Sequence, residues 1–599
     1  MKLSKLYSNK PNLFEPIDFV QGLNVVLAEI RLPENRAKDT HNLGKSTLAR
    51  LLDFCFLAGR SKNFFLFKHP DLFNEFVFFL EIELADASYI TVRRSVRNAS
   101  KISFKKHEAR GQDLTGLSES EWDHTEIPFK RAVKLLDSFL DWRALKPWSY
   151  RKGLGYQLRS QDDYKHVFHL AKFMGMHSDW KPFLAHLLGF NAALIDLQYK
   201  KEKELEKKKE IEKTIERELG GSIEDISKIE GILSLKQRDA EKKQKLLDAF
   251  DFRSPDKKHT KELVDEINKG IASLNTERYS LSYRKKKIRE SLEEDQILFN
   301  PDDAERLFKQ AGVVFHGQIK KDFEQLIAFN RAITNERRDY LQEELSEVDA
   351  ELRRVNSKLN DLGKQRSRIV AFLSSTDIFD KYKMISDEMV VLRADITDLE
   401  RQREYLRRLR ELRDEIRTLK EEREHLRIQI EKDVEKQNVA DNDSLFSWIR
   451  IYFSEVVEDV MNQKALLEVS TNRDGHLEFK ADILDKSGNH TSADLGHSYR
   501  KLLCIAFDLA VLRAHLNNKF PRFVYHDGVF ESLDDRKKEN LLTIYRNYAD
   551  LGIQPIITLI DSDMPVCGKK DDPVFDPSEI ILTLHDENEQ GQLFKMKSW

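Results

Sequence analysis

The middle of the chain carries apolar residues at heptad spacing, and this pattern limits the folds that the chain can adopt. Apolar residues recur in alternating steps of four and three from Leu341 to Leu362, and the register continues with polar gaps from Leu392 to Ile430. A looser version runs from Leu205 to Leu247. Such a seam needs a partner helix to bury it, and the earlier segment of the same chain can supply one. Residues 191–436 are therefore predicted to form an antiparallel α-helical coiled coil.

Two interruptions of the heptad pattern fall at matching heights along this predicted hairpin. One lies near residues 250–261, around Pro255, and the other lies near residues 371–377. We interpret them as a joint and expect the tip of the hairpin near residues 300–320. Straight helices would give an arm of about 150 Å, at about 1.5 Å per residue. The alternative is a helical domain that is folded back on itself.

The two flanking segments have the mixed pattern of α/β proteins. Residues 1–190 contain an alternating strand at Gly22–Leu27 followed by a helical run, and residues 437–599 contain apolar strands such as Phe523–Tyr525. The predicted fold class is α/β, with an N-terminal lobe and a C-terminal lobe separated by the coiled-coil insertion.

Composition excludes several classes of protein. The net charge is −3, because 100 basic residues nearly cancel 103 acidic ones, so any nucleic-acid surface must be local. The three cysteines are far apart and form no CxxC pair, which argues against a disulfide framework or a cysteine-based zinc site. No apolar run approaches the roughly 18 residues of a membrane span, and the amino terminus has no apolar leader segment. We expect a soluble, cytoplasmic protein with no membrane partner.

A phosphate-binding loop is predicted at Asn42-Leu43-Gly44-Lys45-Ser46-Thr47, which follows a strand and opens a helix. Glycine allows close approach of a phosphate, the helix amino terminus presents amides, lysine adds charge, and the hydroxyl of Ser46 reaches magnesium. The loop departs from the GxxxxGK[ST] pattern, because Asp39 stands at the first glycine position and about ten extra residues precede it. The alternative for this segment is an ordinary helix cap.

A second element of the same kind lies near the other end of the chain. Phe523–Asp527 is an apolar strand that ends in aspartate, and Asp527 is placed to hold magnesium. Asp534 follows seven residues later. The alternative for Asp527 is a turn residue after a buried strand.

The order of these elements resembles that of SMC, RecN and RecF-type ATPases of the ABC class: a P-loop near the start, a coiled coil, and a Walker B strand with a D-loop near the end. The resemblance implies a split ATPase head that binds ATP and Mg²⁺ and dimerises through its heads. Within this class the extended loop ending in DTHNLGKST and the segment HDGVFESLD are similar to the ATPase subunit of three-component and Lamassu-type anti-phage defence systems. That resemblance implies DNA sensing together with effector and accessory protein subunits, the effector often being a nuclease.

The resemblance also assigns the segments that would complete the nucleotide site. The ABC signature falls at Gly496, His497 and Ser498, where the match is poor and a plain helix start is the alternative. The Q-loop glutamine, a magnesium ligand in this class, falls at Gln161, with Gln157 or a surface loop as alternatives. Asp534 has the spacing of the D-loop aspartate.

The catalytic position departs from the family pattern. The family's catalytic glutamate follows the Walker B aspartate directly, and here that position is Gly528. Glu531 is the nearest substitute if the turn is remodelled, and a surface carboxylate is the alternative. The switch histidine is replaced by Asp561 or Ser562. Because hydrolysis depends on positioning and charge stabilisation, we expect ATP binding with slow turnover, or turnover that depends on DNA or a partner.

DNA contacts are predicted from basic clusters, since no base-reading motif is present. The strongest cluster follows the first hairpin and comprises Arg93, Arg94, Arg97, Lys101, Lys105 and Lys106. Basic residues at 207–209 and 284–287 are typical of a solvated coiled-coil face. Binding through such residues is sequence-independent and salt-sensitive.

Three functions are consistent with the sequence. The first is an ATP-gated DNA sensor that controls an effector in bacterial defence. The second is a DNA-repair ATPase of RecN or RecF type. The third is a scaffold with an inactive ATPase site, which the residues Gly528, Gly496 and Asp39 favour.

Overall fold

The computed structural model describes residues 1–35, 43–170, 175–218, 226–250, 255–293, 318–373, 377–439, 443–484, 496–565 and 573–597. The chain divides into two compact units. One unit contains residues 1–205 and 419–599, and is called the head below. The other contains residues 206–418, and is called the helical insertion. No helix in the described ranges is both long enough and apolar enough to cross a membrane.

The described strands are β1 Lys2–Ser8, β2 Ile17–Asp18, β3 Asn24–Glu29, β4 Val77–Glu83, β5 Tyr89–Ser95, β6 Lys101–His107, β7 His124–Pro128, β8 Leu158–Arg159, β9 Ala465–Thr471, β10 Leu477–Ile483, β11 Phe523–His526, β12 Gln554–Ile560 and β13 Ile580–His585. The described helices are α1 Lys45–Cys55, α2 Phe65–Lys68, α3 Pro70–Phe73, α4 Phe129–Leu140, α5 Tyr150–Gln157, α6 His177–Leu187, α7 Ala192–Glu218, α8 Ile226–Asp248, α9 Pro255–Glu293, α10 Gln318–Leu373, α11 Asp377–Val439, α12 Leu445–Met461, α13 His497–Ala514 and α14 Asp535–Asp550.

The head is built around a five-stranded parallel sheet to which both ends of the chain contribute. The strand order is β13-β3-β12-β11-β8. β3 therefore lies between two strands from the C-terminal segment, and β8 pairs with β11. Nearly every residue of β3, β11 and β12 is buried, as is usual for a parallel sheet covered on both faces. The carboxyl ends of β3 and β11 meet at one edge, which is where ligands bind in open α/β sheets.

A second sheet of the head is antiparallel, with the order β2-β1-β4-β5-β6-β7. One face carries Phe78, which packs edge-on against Phe54 of α1 and joins the main core. The opposite face carries a smaller cluster formed by Tyr7, Phe79, Leu114 and Trp122. This second face is called the outer face below. A β9–β10 hairpin completes the strands described in the head.

The helices of the insertion pair in antiparallel fashion. As residue numbers rise along α7 and α8, the numbers of the residues they contact on α11 fall. Lys208 binds Glu415 at 2.6 Å, and Lys236 binds Asp395 at 2.6 Å. α9 and α10 pair in the same way, as Arg284 binds Glu344 at 2.7 Å. Their apolar seam comprises Leu281, Ile288, Val348, Leu352 and Val355. The predicted class, α/β with an antiparallel helical insertion between two lobes, is confirmed.

The insertion is folded back on itself, so the length of about 150 Å expected for straight helices does not apply. α9 and α11 run parallel, because the residue numbers on both helices rise from one contact to the next. Asp265 accepts from the Tyr382 hydroxyl, the amide of Asn268 donates to Ser386 at 2.7 Å, and Arg401 lies 5.5 Å from the ring centre of Tyr283. α9 therefore runs beside α11 instead of continuing beyond it.

The fold-back follows the two interruptions of the heptad pattern. α8 ends at Asp248 and α9 begins at Pro255, while α10 ends at Leu373 and α11 begins at Asp377. Packing at this position buries Leu247, Val264, Tyr382 and Met389 in one cluster. A straight hairpin would leave that apolar surface exposed, which favours the folded arrangement. Most of the predicted tip, residues 300–317, lies outside the described residues.

Candidate nucleotide site

The P-loop-like segment meets helix α1 at a glycine that no other residue can replace without strain. Gly44 has φ +108°, and a Cβ atom there would lie 2.5 Å from Cβ of Leu593. The backbone of Leu593 also donates to the carbonyl of Leu43 at 3.0 Å. The C-terminal segment therefore forms one wall of the loop. Asn42 lies outside the described residues.

Helix α1 begins at Lys45, so the amides of Lys45, Ser46 and Thr47 belong to its first turn. The hydroxyl of Tyr525, on β11, donates to the carbonyl of Lys45 at 2.8 Å and fixes the start of α1 against the strand that precedes Asp527. Burial lowers the pKa of the Lys45 ammonium, and the carboxylates of Glu531 and Asp527 oppose that shift. A lysine surrounded in this way is a partly desolvated cation at a helix amino terminus, which is an arrangement suited to phosphate.

Asp527 joins the two ends of the chain at this edge of the sheet. The hydroxyl of Ser46 donates to Oδ2 of Asp527 at 2.5 Å, and the hydroxyl of Thr558 donates to Oδ1 at 2.7 Å. Asp527 is fully buried, and burial raises the pKa of its carboxyl above the usual 3.8. A hydroxyl and a carboxylate in contact are two of the hard oxygen ligands that Mg²⁺ prefers. The residues present therefore fit a magnesium-bound phosphate.

The turn after Asp527 brings the Glu531 carboxylate beside Gly528. Gly528 has φ +62°, and a Cβ atom there would lie 2.6 Å from Oε1 of Glu531 and 2.9 Å from Nε2 of Gln161. The Glu531 carboxylate thus fills the space that a side chain at position 528 would occupy. Gln161 donates to Oε1 of Glu531 at 2.8 Å. Of the two glutamines considered from the sequence, Gln161 is the one beside these residues, while Gln157 is buried in α5.

Lys501 contacts the same turn from helix α13, and sequence reasoning missed it. Its ammonium donates to the carbonyl of Gly528 at 2.8 Å and to Oε2 of Glu531 at 3.2 Å. The Lys501 side chain is only 2% exposed. Nothing in the sequence distinguishes this lysine from its neighbours, because its partners are contributed by a distant loop.

Two further residues were also missed. Thr558 is a polar residue in the middle of the largely apolar strand β12, and its hydroxyl accepts from the amide of Gly528 at 2.9 Å while donating to Asp527. Its polarity inside a buried strand was a signal that could have identified it. Arg159 is the last residue of β8, which pairs with β11, and it binds Asp508 of α13 at 2.5 Å with both groups buried.

The signature-like segment opens helix α13. Gly496 is the exposed N-cap residue, and its carbonyl accepts from the amide of Arg500 at 2.9 Å. His497 and Ser498 form the first turn of the helix. One face of α13 then carries Lys501, Cys504 and Asp508, spaced three and four residues apart. These three contact the turn after β11 and the segment 159–167.

Asp534 serves as a helix cap in this structure. Its carboxylate accepts from the backbone amide of Lys537 at 3.1 Å and pairs with the Lys537 ammonium at 2.7 Å, at the start of α14. These contacts lower the pKa of the Asp534 carboxyl. A nucleotide contact at Asp534 stays a prediction.

Arg94 cannot contact DNA, so its assignment to the basic cluster is wrong. It lies on the face of β5 that packs on the core and is 1% exposed. Its guanidinium donates to the carbonyl of Phe54 at 2.6 Å and to that of Ala99 at 3.1 Å, and lies 4.2 Å from the Phe54 ring centre. Burial lowers its pKa to about 10. Alternation along β5, with its period of two, places Arg94 and Arg93 on opposite faces.

The other members of the cluster do not form one surface. Arg93 lies over Trp122 on the outer face, and Lys105 on the same face pairs with Asp123 at 2.9 Å. Lys106 pairs with Asp86 at 3.0 Å and Arg97 lies 3.8 Å from Glu75. Lys101 is exposed at the start of β6. A DNA contact at these residues stays a prediction.

Comparison with known proteins gives one family match. A family described as "uncharacterised protein conserved in bacteria" (DUF2326) matches residues 452–598, which include α13, β11 and β12. Among curated proteins no significant sequence match is found.

Several solved structures resemble the chain over most of its length. The Smc head domain of Pyrococcus yayanosii, with a coiled coil and joint, is 14% identical, with a TM-score of 0.34, covering 93% of this chain and 92% of that one. The Smc head domain of Pyrococcus furiosus, bound to the C-terminal domain of ScpA, is 12% identical, with a TM-score of 0.31, covering 94% and 90%. TM-scores of this size do not establish a common fold.

Proposed function

We propose that this chain is an SMC-like, ABC-type ATPase head with a coiled-coil insertion, which binds ATP and Mg²⁺ and hydrolyses ATP slowly. The observation that carries the proposal is the 2.5 Å contact between Ser46 and Asp527. These residues lie 481 positions apart, yet the interleaved sheet brings the first turn of α1 against the end of β11. A hydroxyl, a carboxylate and a partly buried lysine at a helix amino terminus together suit a magnesium nucleotide.

Each group has a defined task in this proposal. Lys45 and the first amides of α1 would hold the phosphates, and Ser46 and Asp527 would hold Mg²⁺, whose charge would offset that of the phosphates. Glu531 takes the part of the carboxylate that is absent at Gly528 and orients the attacking water. Its two oxygens are held by Gln161 and Lys501. Slow turnover is expected because this carboxylate comes from three residues beyond the position that carries the catalytic glutamate in SMC-like ATPases.

DNA binding and effector control are the finer part of the proposal. By its sequence resemblance the protein works as a homodimer of heads that senses DNA without reading its sequence and controls an effector, such as a nuclease, in bacterial defence. With Arg94 removed, the proposed phosphate contacts are Arg93, Arg97, Lys101, Lys105 and Lys106. Binding of this kind weakens strongly as salt rises.

A scaffold without hydrolysis is the second candidate, and one observation favours it. The Glu531 carboxylate is engaged by a buried ammonium, so it is bound to protein groups instead of standing free. Under this alternative the nucleotide would serve as a structural ligand.

The test is ATP binding and turnover by the wild type and by Lys45→Ala and Glu531→Gln, with and without linear duplex DNA. Losing a charged hydrogen bond costs about 1.5–3 kcal/mol, so Lys45→Ala should weaken binding roughly ten- to a hundredfold. Glu531→Gln should retain binding and lose about a hundredfold in turnover. Equal binding by wild type and Lys45→Ala would refute the nucleotide site. Binding without turnover in every condition would select the scaffold.

A further inference from the structure

Lys501 is a buried lysine, and its contacts with Gly528 and Glu531 indicate a functional role more than a contribution to stability. Its side chain is 2% exposed, and a buried ammonium is costly unless it is paired. It has two oxygen partners, the Gly528 carbonyl at 2.8 Å and Glu531 Oε2 at 3.2 Å, and the Tyr164 ring centre lies 5.5 Å away. All of these contacts converge on the turn beside the candidate nucleotide site.

The turn that Lys501 holds is unusual at both ends. Gly528 has φ +62° and Ser532 has φ +66°, the latter in a region that non-glycine residues rarely adopt. Between them Glu531 folds back over Gly528, its two carboxylate oxygens bound by Gln161 and Lys501. The backbone of this turn does not by itself direct Glu531 to the site. The side chains that bind its carboxylate supply that direction.

We propose that Lys501 is a positioning residue, which holds the Glu531 carboxylate in the space left by the absent side chain at position 528. The inference rests on the proposed ATP hydrolysis. Lys501 belongs to α13, five residues after Gly496, so it connects the signature-like segment to the carboxylate by one turn of helix. A residue that places a catalytic group affects the rate more than the binding of substrate, because small misplacements of reacting groups are costly.

The experiment compares Lys501→Met, Lys501→Arg and Lys181→Met, together with Glu531→Gln and the double variant Lys501→Met/Glu531→Gln. Lys181 is the matched control, because it is also buried in the head and donates to a backbone carbonyl, that of Leu477, at 2.6 Å. ATP affinity, kcat, KM and melting temperature are measured for each full-length protein.

The expected result is a loss in kcat of about tenfold or more for Lys501→Met, with ATP affinity within about threefold of the wild type. Lys501→Arg should recover part of the rate, since its guanidinium can still bind the carboxylate. The double variant should be no slower than Glu531→Gln, because a positioning residue has no effect once its target is gone. Lys181→Met should leave kcat unchanged.

Three results would overturn the inference while leaving ATP hydrolysis standing. The first is a kcat for Lys501→Met equal to that of the wild type, while Glu531→Gln is slow. Another is an equal further loss from Lys501→Met in the Glu531→Gln background. The third is equal loss of rate in Lys501→Met and Lys181→Met. If Lys501→Met does not fold, Lys501→Gln replaces it with the same expected loss in kcat. Failure of the wild type to bind ATP would instead refute the proposed function.

Discussion

Introducing a glutamate at position 528, where SMC-like ATPases carry one, should not produce a fast ATPase. By sequence alone, Gly528→Glu is the obvious way to activate this protein. The structure indicates the opposite, because Gly528 adopts φ +62° and its Cβ position lies 2.6 Å from Oε1 of Glu531 and 2.8 Å from its Cδ. These separations are shorter than any real contact of a Cβ atom, and the neighbour is a carboxylate that already has two partners.

The cost can be worked out from these contacts. A non-glycine residue in the left-handed region costs about 1–2 kcal/mol. Displacing Glu531 removes its hydrogen bond with the Lys501 ammonium, which costs about 1.5–3 kcal/mol. Together these terms should lower the free energy of unfolding of the head by about 2.5–5 kcal/mol. The added carboxylate also lies next to the buried Asp527, and like charges at this distance repel.

The assay measures ATP turnover and chemical denaturation for the wild type, Gly528→Glu, Gly528→Ala and Gly528→Glu/Glu531→Ala. We expect Gly528→Glu to be no faster than the wild type and less stable. Gly528→Ala adds only the Cβ atom and should be destabilised by a smaller amount. The double variant removes the clash but keeps the strain at φ +62° and the loss of the Lys501–Glu531 hydrogen bond, so it should stay less stable than the wild type. A Gly528→Glu protein that is as stable as the wild type and hydrolyses ATP faster would refute this reasoning.

Three further predictions concern the head. Gly44→Ala should abolish tight ATP binding and lower the melting temperature, because φ +108° is strained for alanine and its Cβ would lie 2.5 Å from Cβ of Leu593; ATP titration and thermal melting check this. Arg159→Met should lower the free energy of unfolding by about 3–5 kcal/mol, since the buried Asp508 loses its guanidinium partner and keeps the His526 contact at 3.3 Å; Arg159→Met/Asp508→Leu should regain part of it in denaturant titrations. Burial lowers the pKa of His515, so the native state binds a proton at lower pH than the unfolded chain does. The contribution of neutral His515 to the free energy of unfolding should therefore be fully present above about pH 6.5. Below that pH the free energy of unfolding should fall by up to about 1.4 kcal/mol per pH unit, with a smaller slope in His515→Gln. Equal slopes would contradict that assignment.

The coiled coil was predictable because its signal is long and periodic. The heptads after Leu341 required a partner helix, and the antiparallel pairing followed from chain connectivity. The fold-back was not predictable, since it depends on apolar contacts such as Val264 with Tyr382 that form between two hairpins. Heptad spacing describes only the contact between the two members of one pair. It carries no information about how one helix pair packs against another.

The candidate site was predictable where the chemistry is local. Gly44, Lys45 and Ser46 are adjacent in sequence, and Asp527 ends a buried strand, so each could be proposed from its own segment. Lys501 and the conformation of Glu531 depend on how a remodelled turn meets a helix, which no local pattern encodes. The basic cluster fails at Arg94 for a different reason. Charge alone does not tell which face of a strand points inward.

The interleaved order of the central sheet has a consequence for biosynthesis. β3 lies between β12 and β13, both of which are made some 525 residues or more later on the chain. At 5–20 residues per second, the ribosome needs roughly half a minute to two minutes to supply the first of them. During that interval Val25, Val26 and Leu27, which are buried in the finished head, have no sheet partner and are exposed to aggregation or to chaperones. The nascent N-terminal lobe is thus prone to aggregation until the C-terminal strands have been made. A separately expressed C-terminal fragment, supplied to the same cell, should shorten that stage.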